Sequence, residues 1–162
     1  MERKEFMSLV GISIGAVILQ NCLSGCSSKS DPSPSGGTTG GTTTNPTSAG
    51  FTGNASSSKG TIDFTIDISS TDYSTLKSNG TAVVVGDVIV ARTKAGNFIA
   101  LAKACTHEGT TINFLADQDR FKCPSHGSEF STSGAVLSAP ASSPLKQYTA
   151  TFDSATSKVS VK

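Results

Sequence analysis

The sequence predicts an all-β domain over residues 61–162, and two observations carry this prediction. Residues 62–68, Ile-Asp-Phe-Thr-Ile-Asp-Ile, alternate apolar and polar side chains with the period of two that is typical of a strand with one buried face. Further along the chain, short β-branched runs are separated by turn residues, and no segment has the pattern of an ordinary amphipathic helix. A length of about one hundred residues is enough for one domain with its own core.

The later strands are predicted in order from apolar runs and the turns between them. Gly86-Asp87 separates two runs and indicates a hairpin, and residues 92–98 form a second turn before the next strand. Beyond a region that contains cysteine and histidine, Ser133-Gly134 indicates another turn, and a hairpin closes the domain. The predicted strands after the first one cover residues 82–85, 88–90, 99–103, 135–137, 145–152 and 158–161.

Two short motifs bring cysteine and histidine together in the sequence. They are Cys105-Thr106-His107 and Cys123-Pro124-Ser125-His126, and they contain both histidines of the chain. Two such pairs can hold an asymmetric iron-sulfur cluster or a tetrahedral zinc ion. Structural zinc sites usually pair cysteine with cysteine and histidine with histidine, whereas each pair here is mixed, so the pattern favours the cluster.

The residues around these pairs resemble the two cluster-binding boxes of the Rieske family. The resemblance rests on Cys-Thr-His-Glu-Gly at 105–109, on Cys-Pro-Ser-His-Gly-Ser-Glu-Phe at 123–130 and on the spacer between them. It implies a Rieske-type antiparallel β-sandwich with a small cluster-binding subdomain and one [2Fe-2S] cluster. By the same resemblance, Cys105 and Cys123 hold one iron through sulfur. His107 and His126 hold the other through a ring nitrogen, which raises the reduction potential.

The resemblance also assigns roles around the cluster. Pro140 matches the loop that covers the cluster, and Ser128 matches a serine that donates to a bridging sulfide in high-potential members. Phe130 stands where many of those proteins have a tyrosine. Rieske subunits of cytochrome bc complexes carry a disulfide between the boxes, and Thr110 and Ser125 take those two places here. In this respect the chain resembles the disulfide-free Rieske ferredoxins.

These features predict an electron carrier or the electron-transfer subunit of an oxidoreductase, with a protein such as a cytochrome as its redox partner. The alternatives are a quinol-oxidising subunit of a cytochrome bc-type complex, where Leu is usual in place of Glu108, and a structural zinc module. A Rieske oxygenase is excluded, because its catalytic iron needs further histidines. From residue 60 onward, nine basic and nine acidic residues give a net charge of zero, so no nucleic-acid partner is expected.

The first residues predict an exported lipoprotein. Arg3 and Lys4 precede an apolar run that is short for a membrane span, and Leu23-Ser24-Gly25-Cys26 resembles the bacterial lipobox. Residues 1–25 are therefore predicted to be a signal peptide, and lipidated Cys26 to anchor the chain to a membrane of the cell envelope, on the periplasmic or extracellular side. A transmembrane anchor through residues 6–23 is the alternative. Arg3-Lys4 resembles a twin-arginine export signal in which lysine replaces the second arginine. Because of this replacement, neither the twin-arginine nor the Sec export route is excluded.

Residues 26–60 are predicted to be a flexible tether. Ser, Thr, Gly and Pro fill most of this segment, and such a composition buries too little apolar surface to offset the entropy of ordering. A flexible coil of this length reaches roughly 30 Å, so the tether would let the folded domain move near the membrane surface.

Overall fold

The computed structural model describes residues 43–44 and 49–162, which form thirteen β-strands and three short 3₁₀ helices. The predicted signal peptide, Cys26 and most of the predicted tether lie outside the described residues. Within the described part, no helix is long and apolar enough to cross a bilayer. The strands are β1 Thr43–Thr44, β2 Phe51–Asn54, β3 Asp63–Asp67, β4 Thr81–Val85, β5 Val88–Arg92, β6 Phe98–Ala102, β7 Asn113–Leu115, β8 Arg120–Lys122, β9 Glu129–Phe130, β10 Val136–Ser138, β11 Gln147–Tyr148, β12 Ala150–Asp153 and β13 Lys158–Val161, and the helices are Ser57–Lys59, Thr71–Lys77 and Ala116–Gln118.

The strands form three sheets. The central sheet has the order β1-β4-β5-β6-β11, the outer sheet β12-β13-β3-β2 and the small sheet β10-β9-β8-β7. Among the described strands every pairing is antiparallel except that of β1 with β4. The small sheet is inserted in the sequence between β6 and β11, which are neighbours in the central sheet.

The central sheet is buried on both faces. In β5, Val88 and Val90 belong to the first core, which also contains Phe64 and Val159 of the outer sheet. Ile89, between these two valines, belongs instead to the second core, together with apolar residues of the small sheet. Successive side chains of a strand point to opposite faces, so an unbroken apolar run can serve both cores. The predicted all-β fold is confirmed as a sandwich that carries a small subdomain.

The folded domain begins earlier than predicted. Strand β2 lies within the predicted tether, and it pairs with β3 along its whole length. Its one aromatic side chain, Phe51, packs against Phe64 with 5.7 Å between ring centroids. Of the other residues of β2, Thr52 favours a strand, whereas Gly53 and Asn54 disfavour one. One apolar contact and a ladder of backbone hydrogen bonds therefore order a segment whose composition is typical of a linker.

The Gly86-Asp87 turn fixes the chain that follows β2. Asp87 N–H donates to Ala55 O at 2.7 Å, and the Asp87 carboxylate accepts from the N–H and the hydroxyl of Ser57 at 2.8 and 2.7 Å. These bonds from Ser57 hold the pKa of Asp87 below its usual range. At Gly86 a Cβ would collide with the Ala55 carbonyl, and its φ of 56° also suits glycine. The predicted hairpin turn thus also anchors the start of the domain.

We expect Tyr73→Phe to raise the free energy of unfolding by about 1 kcal/mol, because Tyr73 is fully buried and its hydroxyl has no hydrogen-bond partner among the described residues. Urea unfolding followed by circular dichroism measures the change. Leu76→Ala is the control, since Leu76 is equally buried in the same helix and its loss should cost about 2–5 kcal/mol. A loss of more than about 1 kcal/mol in Tyr73→Phe would show that the hydroxyl has a partner.

Candidate metal centre

Two loops of equal length and with the same backbone hydrogen bonds lie beside the small sheet, and each begins with a cysteine. The first loop covers residues 105–110 and the second loop residues 123–128. Cys105 N–H donates to Thr110 O at 2.8 Å, and Cys123 N–H donates to Ser128 O at 2.8 Å. Because each bond joins residues five apart, both loops return on themselves in the same way.

A glycine makes each of these returns possible. Gly109 N–H donates to Cys105 O at 2.7 Å, and Gly127 N–H donates to Cys123 O at 3.0 Å. The φ angles of Gly109 and Gly127 are 76° and 77°, in the left-handed region that favours glycine. No atom lies within 4 Å of the place where a Cβ would stand at either glycine, so the requirement is backbone conformation and not space.

In both loops the cysteine thiol is buried and the histidine imidazole is exposed. Cys105 and Cys123 are 2% and 1% exposed, are free thiols and belong to the second core. His107 and His126 are exposed, and their rings lie 5.0 Å apart between centroids at an angle of 90°. The structure therefore brings all four predicted site residues together, with sulfur on the inner side and ring nitrogen on the outer side.

The second loop favours the thiolate form of Cys123. Burial raises the pKa of this thiol, but hydrogen bonds from Ser125 N–H, the Cys105 thiol, His126 N–H and the Ser125 hydroxyl outweigh it, so the pKa lies below its usual value. Backbone N–H groups aimed at a sulfur stabilise negative charge there. A thiolate is the form that binds metal.

A carboxylate lies beside the two imidazoles. Ligand atoms of His107, Glu108 and His126 all lie within 4.8 Å of one another, and all three residues are exposed. Glu108 Oε2 lies 3.5 Å from His126 Nδ1. The outer side of the site thus carries one acidic group that the sequence places directly after the first histidine.

A third loop, residues 139–143, closes the site and contains the cis peptide bond Ala139-Pro140. Ser128 is fully buried, and its hydroxyl oxygen accepts a hydrogen bond from Ala141 N–H at 2.9 Å. The hydroxyl hydrogen of Ser128 therefore stays free to be donated elsewhere. Thr106 of the first loop donates from its hydroxyl to Ser143 O at 2.6 Å.

Of the small sheet, which supports both loops, only β10 overlaps a strand predicted from the sequence, the one at residues 135–137. Its strands β7, β8 and β9 have only two or three residues each, which is too short for a periodic pattern. Phe121 lies opposite Phe114 on β7 and opposite Phe130 on β9. Three phenylalanines at intervals of seven and nine residues are the signal that could have indicated these strands.

An ion-pair group crosses the outer face of the small sheet. Arg120 Nη1 lies 2.9 Å from Glu129 Oε2, and Lys122 Nζ lies 3.3 Å from Glu129 Oε1. Hydrogen bonds from Arg120 and then Lys122 hold the pKa of the Glu129 carboxyl below its usual range. These contacts connect β8 to β9, and β9 follows directly after the second loop.

Known proteins share this part of the chain. The cytochrome b6-f complex iron-sulfur subunit of Chlorobaculum thiosulfatiphilum is 33% identical over 67 residues, which are 41% of this chain and 37% of that protein. The subunit of the same name from Synechococcus sp. (strain JA-3-3Ab) is 35% identical over 78 residues, which are 48% of this chain and 42% of that protein. The chain therefore matches less than half the length of these relatives.

Among solved structures, the plasma membrane Rieske protein of Synechocystis PCC 6803 is 33% identical, with a TM-score of 0.42 over 46% of this chain and 75% of that one. The ferredoxin of carbazole 1,9a-dioxygenase from Nocardioides aromaticivorans is 28% identical, with a TM-score of 0.46 over 54% of this chain and 90% of that one.

The family described as Rieske [2Fe-2S] domain matches residues 63–149, which is more than half of the 162 residues. This segment includes all three loops and the whole small sheet. Two buried thiols beside two exposed imidazoles are a donor set that suits an asymmetric [2Fe-2S] cluster. The chain belongs to the Rieske family, whose domain binds a [2Fe-2S] cluster.

Proposed function

We propose that this protein transfers electrons through one [2Fe-2S] cluster held by four side chains of the first and second loops. Cys105 and Cys123 supply thiolates to one iron, and His107 and His126 supply ring nitrogens to the other. The observation that carries the proposal is the difference in exposure between the thiols and the imidazoles. When bound, the cluster accepts and releases one electron.

The protein itself has three tasks at such a centre. Apolar side chains of the second core, such as Ile112 and Phe121, keep water from the thiolate side. The exposed imidazoles form the side that a partner protein can approach most closely. Glu108 adds negative charge on that side, which stabilises the oxidised cluster and lowers its potential.

The partner is proposed to be a redox protein such as a cytochrome or an oxidoreductase subunit. Two relatives bear the name of iron-sulfur subunits of cytochrome b6-f complexes, which supports membrane electron transport. The resemblance of residues 23–26 to a lipobox supports attachment to a membrane of the cell envelope through lipidated Cys26. The tether before β2 would then set how far the cluster domain can reach.

A second candidate function is quinol oxidation within a cytochrome bc-type complex. The names of the relatives favour it. Glu108, Thr110 and Ser125 differ from the residues that the resemblance leads one to expect in such subunits, which favours the independent carrier. Purification from membranes in mild detergent distinguishes the two: a stoichiometric cytochrome b and quinol-dependent reduction of the cluster would support the complex.

We predict that the purified protein contains two irons and two acid-labile sulfides and gives a Rieske-type electron paramagnetic resonance signal when reduced. His107→Ala and Cys123→Ser should each lose the cluster, because each removes a ligand. Glu108→Gln is the control and should keep full iron and sulfide content. Stoichiometric zinc without sulfide, in protein made with sufficient iron, would favour the zinc module instead.

We expect Ser128→Ala to lower the reduction potential by about 40 mV or more. The free hydroxyl hydrogen of buried Ser128 can stabilise the more negative reduced cluster, and a difference of about 1 kcal/mol between the oxidation states corresponds to this shift. Voltammetry at one pH measures it, with Ser133→Ala, an exposed serine of the same subdomain, as the control. Equal potentials in Ser128→Ala and wild type, at full cluster occupancy, would contradict the assigned role.

Membrane attachment is tested at the two leader cysteines. Cys26→Ala should abolish the lipid mass increment and leave the precursor unprocessed, whereas Cys22→Ala should change neither, since only Cys26 follows Leu-Ser-Gly. Mass spectrometry of the membrane fraction gives the result. Mature wild-type protein in that fraction without a lipid mass would refute this anchor.

A further inference from the structure

We propose that a closed ring of three hydroxyl hydrogen bonds holds the three loops of the site together and controls how firmly the cluster is retained. The inference rests on the proposed function, because it concerns retention of that cluster. Each loop is joined to each of the other two by one of these hydroxyl bonds. The bonds are Thr110 Oγ1 with Ser125 Oγ at 2.8 Å, Thr106 Oγ1 to Ser143 O at 2.6 Å, and Ala141 N–H to Ser128 Oγ at 2.9 Å.

Other interactions do not join the loops in this way. The backbone hydrogen bonds of the first and second loops close each loop on itself. Among the described residues, no backbone hydrogen bond runs from one of the three loops to another. The two described cysteines are free thiols, so no disulfide connects the loops either. Apart from the ligand side chains and the 3.5 Å contact of exposed Glu108 with His126, the hydroxyl bonds are thus the polar links described between the loops.

In a closed ring of hydrogen bonds, the loss of two bonds has a different effect from the loss of one. When one bond is removed, the other two still connect all three loops in a row. When both hydroxyl bonds of the first loop are removed, the ligands, the exposed Glu108–His126 contact and apolar packing are left to hold that loop against the others. Because release of a cluster requires its ligand loops to separate, loss of two bonds should have more than the multiplied effect of the single losses.

Thr106 and Thr110 are the best positions at which to remove single hydrogen bonds of the ring. Both lie on the first loop, neither is a proposed ligand, and each provides one of the three hydrogen bonds through its own hydroxyl. Ser125 is a poor probe, because its hydroxyl also bonds the Cys123 sulfur. Ser128 is a poor probe as well, since it is buried at the site. Thr→Val removes the hydroxyl at nearly constant volume, and Thr→Ser restores it.

A matched control exists in the outer sheet. The hydroxyls of Thr65 and Ser160 share a hydrogen bond of 3.2 Å between neighbouring strands, far from the three loops in the sheet order. Ser160→Ala therefore removes a hydrogen bond between two hydroxyls, of the same kind as Thr110 with Ser125, and leaves the three bonds of the ring unchanged. It reports the effect of losing such a bond on general stability alone.

The experiment measures release of the cluster from the full-length holoprotein. Loss of visible absorbance in excess iron chelator is followed at fixed temperature for wild type, Thr106→Val, Thr110→Val, the double variant and Ser160→Ala. Each single valine variant should lose the cluster about two to five times faster, as expected for one neutral hydrogen bond, and the double variant faster than the product of the two. Thr110→Ser should restore the wild-type rate.

Two further readouts separate positioning from general stability. The electron paramagnetic resonance signal of the double variant should broaden, whereas that of Ser160→Ala should stay unchanged, because the ring links the ligand loops and the Ser160 bond does not. Release rates of both valine variants equal to that of Ser160→Ala, or failure of Thr110→Ser to restore the rate, would overturn the proposal. A wild-type protein without any [2Fe-2S] cluster would instead overturn the proposed function itself.

Discussion

The burial of the central sheet on both faces is the constraint on which the site depends. Along β5 the side chains alternate between the first core, with Val88 and Val90, and the second core, with Ile89. Strand β6 repeats this alternation with Ala100 and Leu101. A slip of one residue in the pairing would exchange the two sets of side chains. The position of the cysteine loops is therefore set by strands that contain no ligand.

The second core explains why sulfur lies inside and imidazole outside. Cys105 and Cys123 each open a loop directly at this core, and the short backbone closures then turn the following residues outward. The histidines, two and three residues further on, consequently reach solvent. Polarity across the site thus arises from the geometry of two loops with the same backbone closure.

Features of the fold that depend on a local sequence pattern could be predicted. Features that depend on contacts between residues far apart in the sequence could not. Strand β3 is confirmed, because alternation such as Phe64-Thr65-Ile66 is a local result of one buried face. The four candidate ligands were proposed from the spacing of two Cys/His pairs and from the resemblance to the Rieske boxes, and the fold brings them together. Strand β2 was missed, since its pairing with β3 and the contact of Phe51 with Phe64 join parts of the chain that no local pattern connects. The bond from Thr106 to Ser143 joins residues 37 apart, and no local pattern encodes it.

The hydroxyl ring also has a physical meaning for a redox protein. A disulfide between cluster loops can itself be reduced, and its loss would release both loops at once. Hydroxyl hydrogen bonds do not respond to the ambient redox potential, so their strength is the same whether the surroundings are oxidising or reducing. Each one is weak, at about 1 kcal/mol, and two of the three lie where solvent can reach them. The closed arrangement of the bonds, more than any single bond, is therefore what would oppose local opening of the loops.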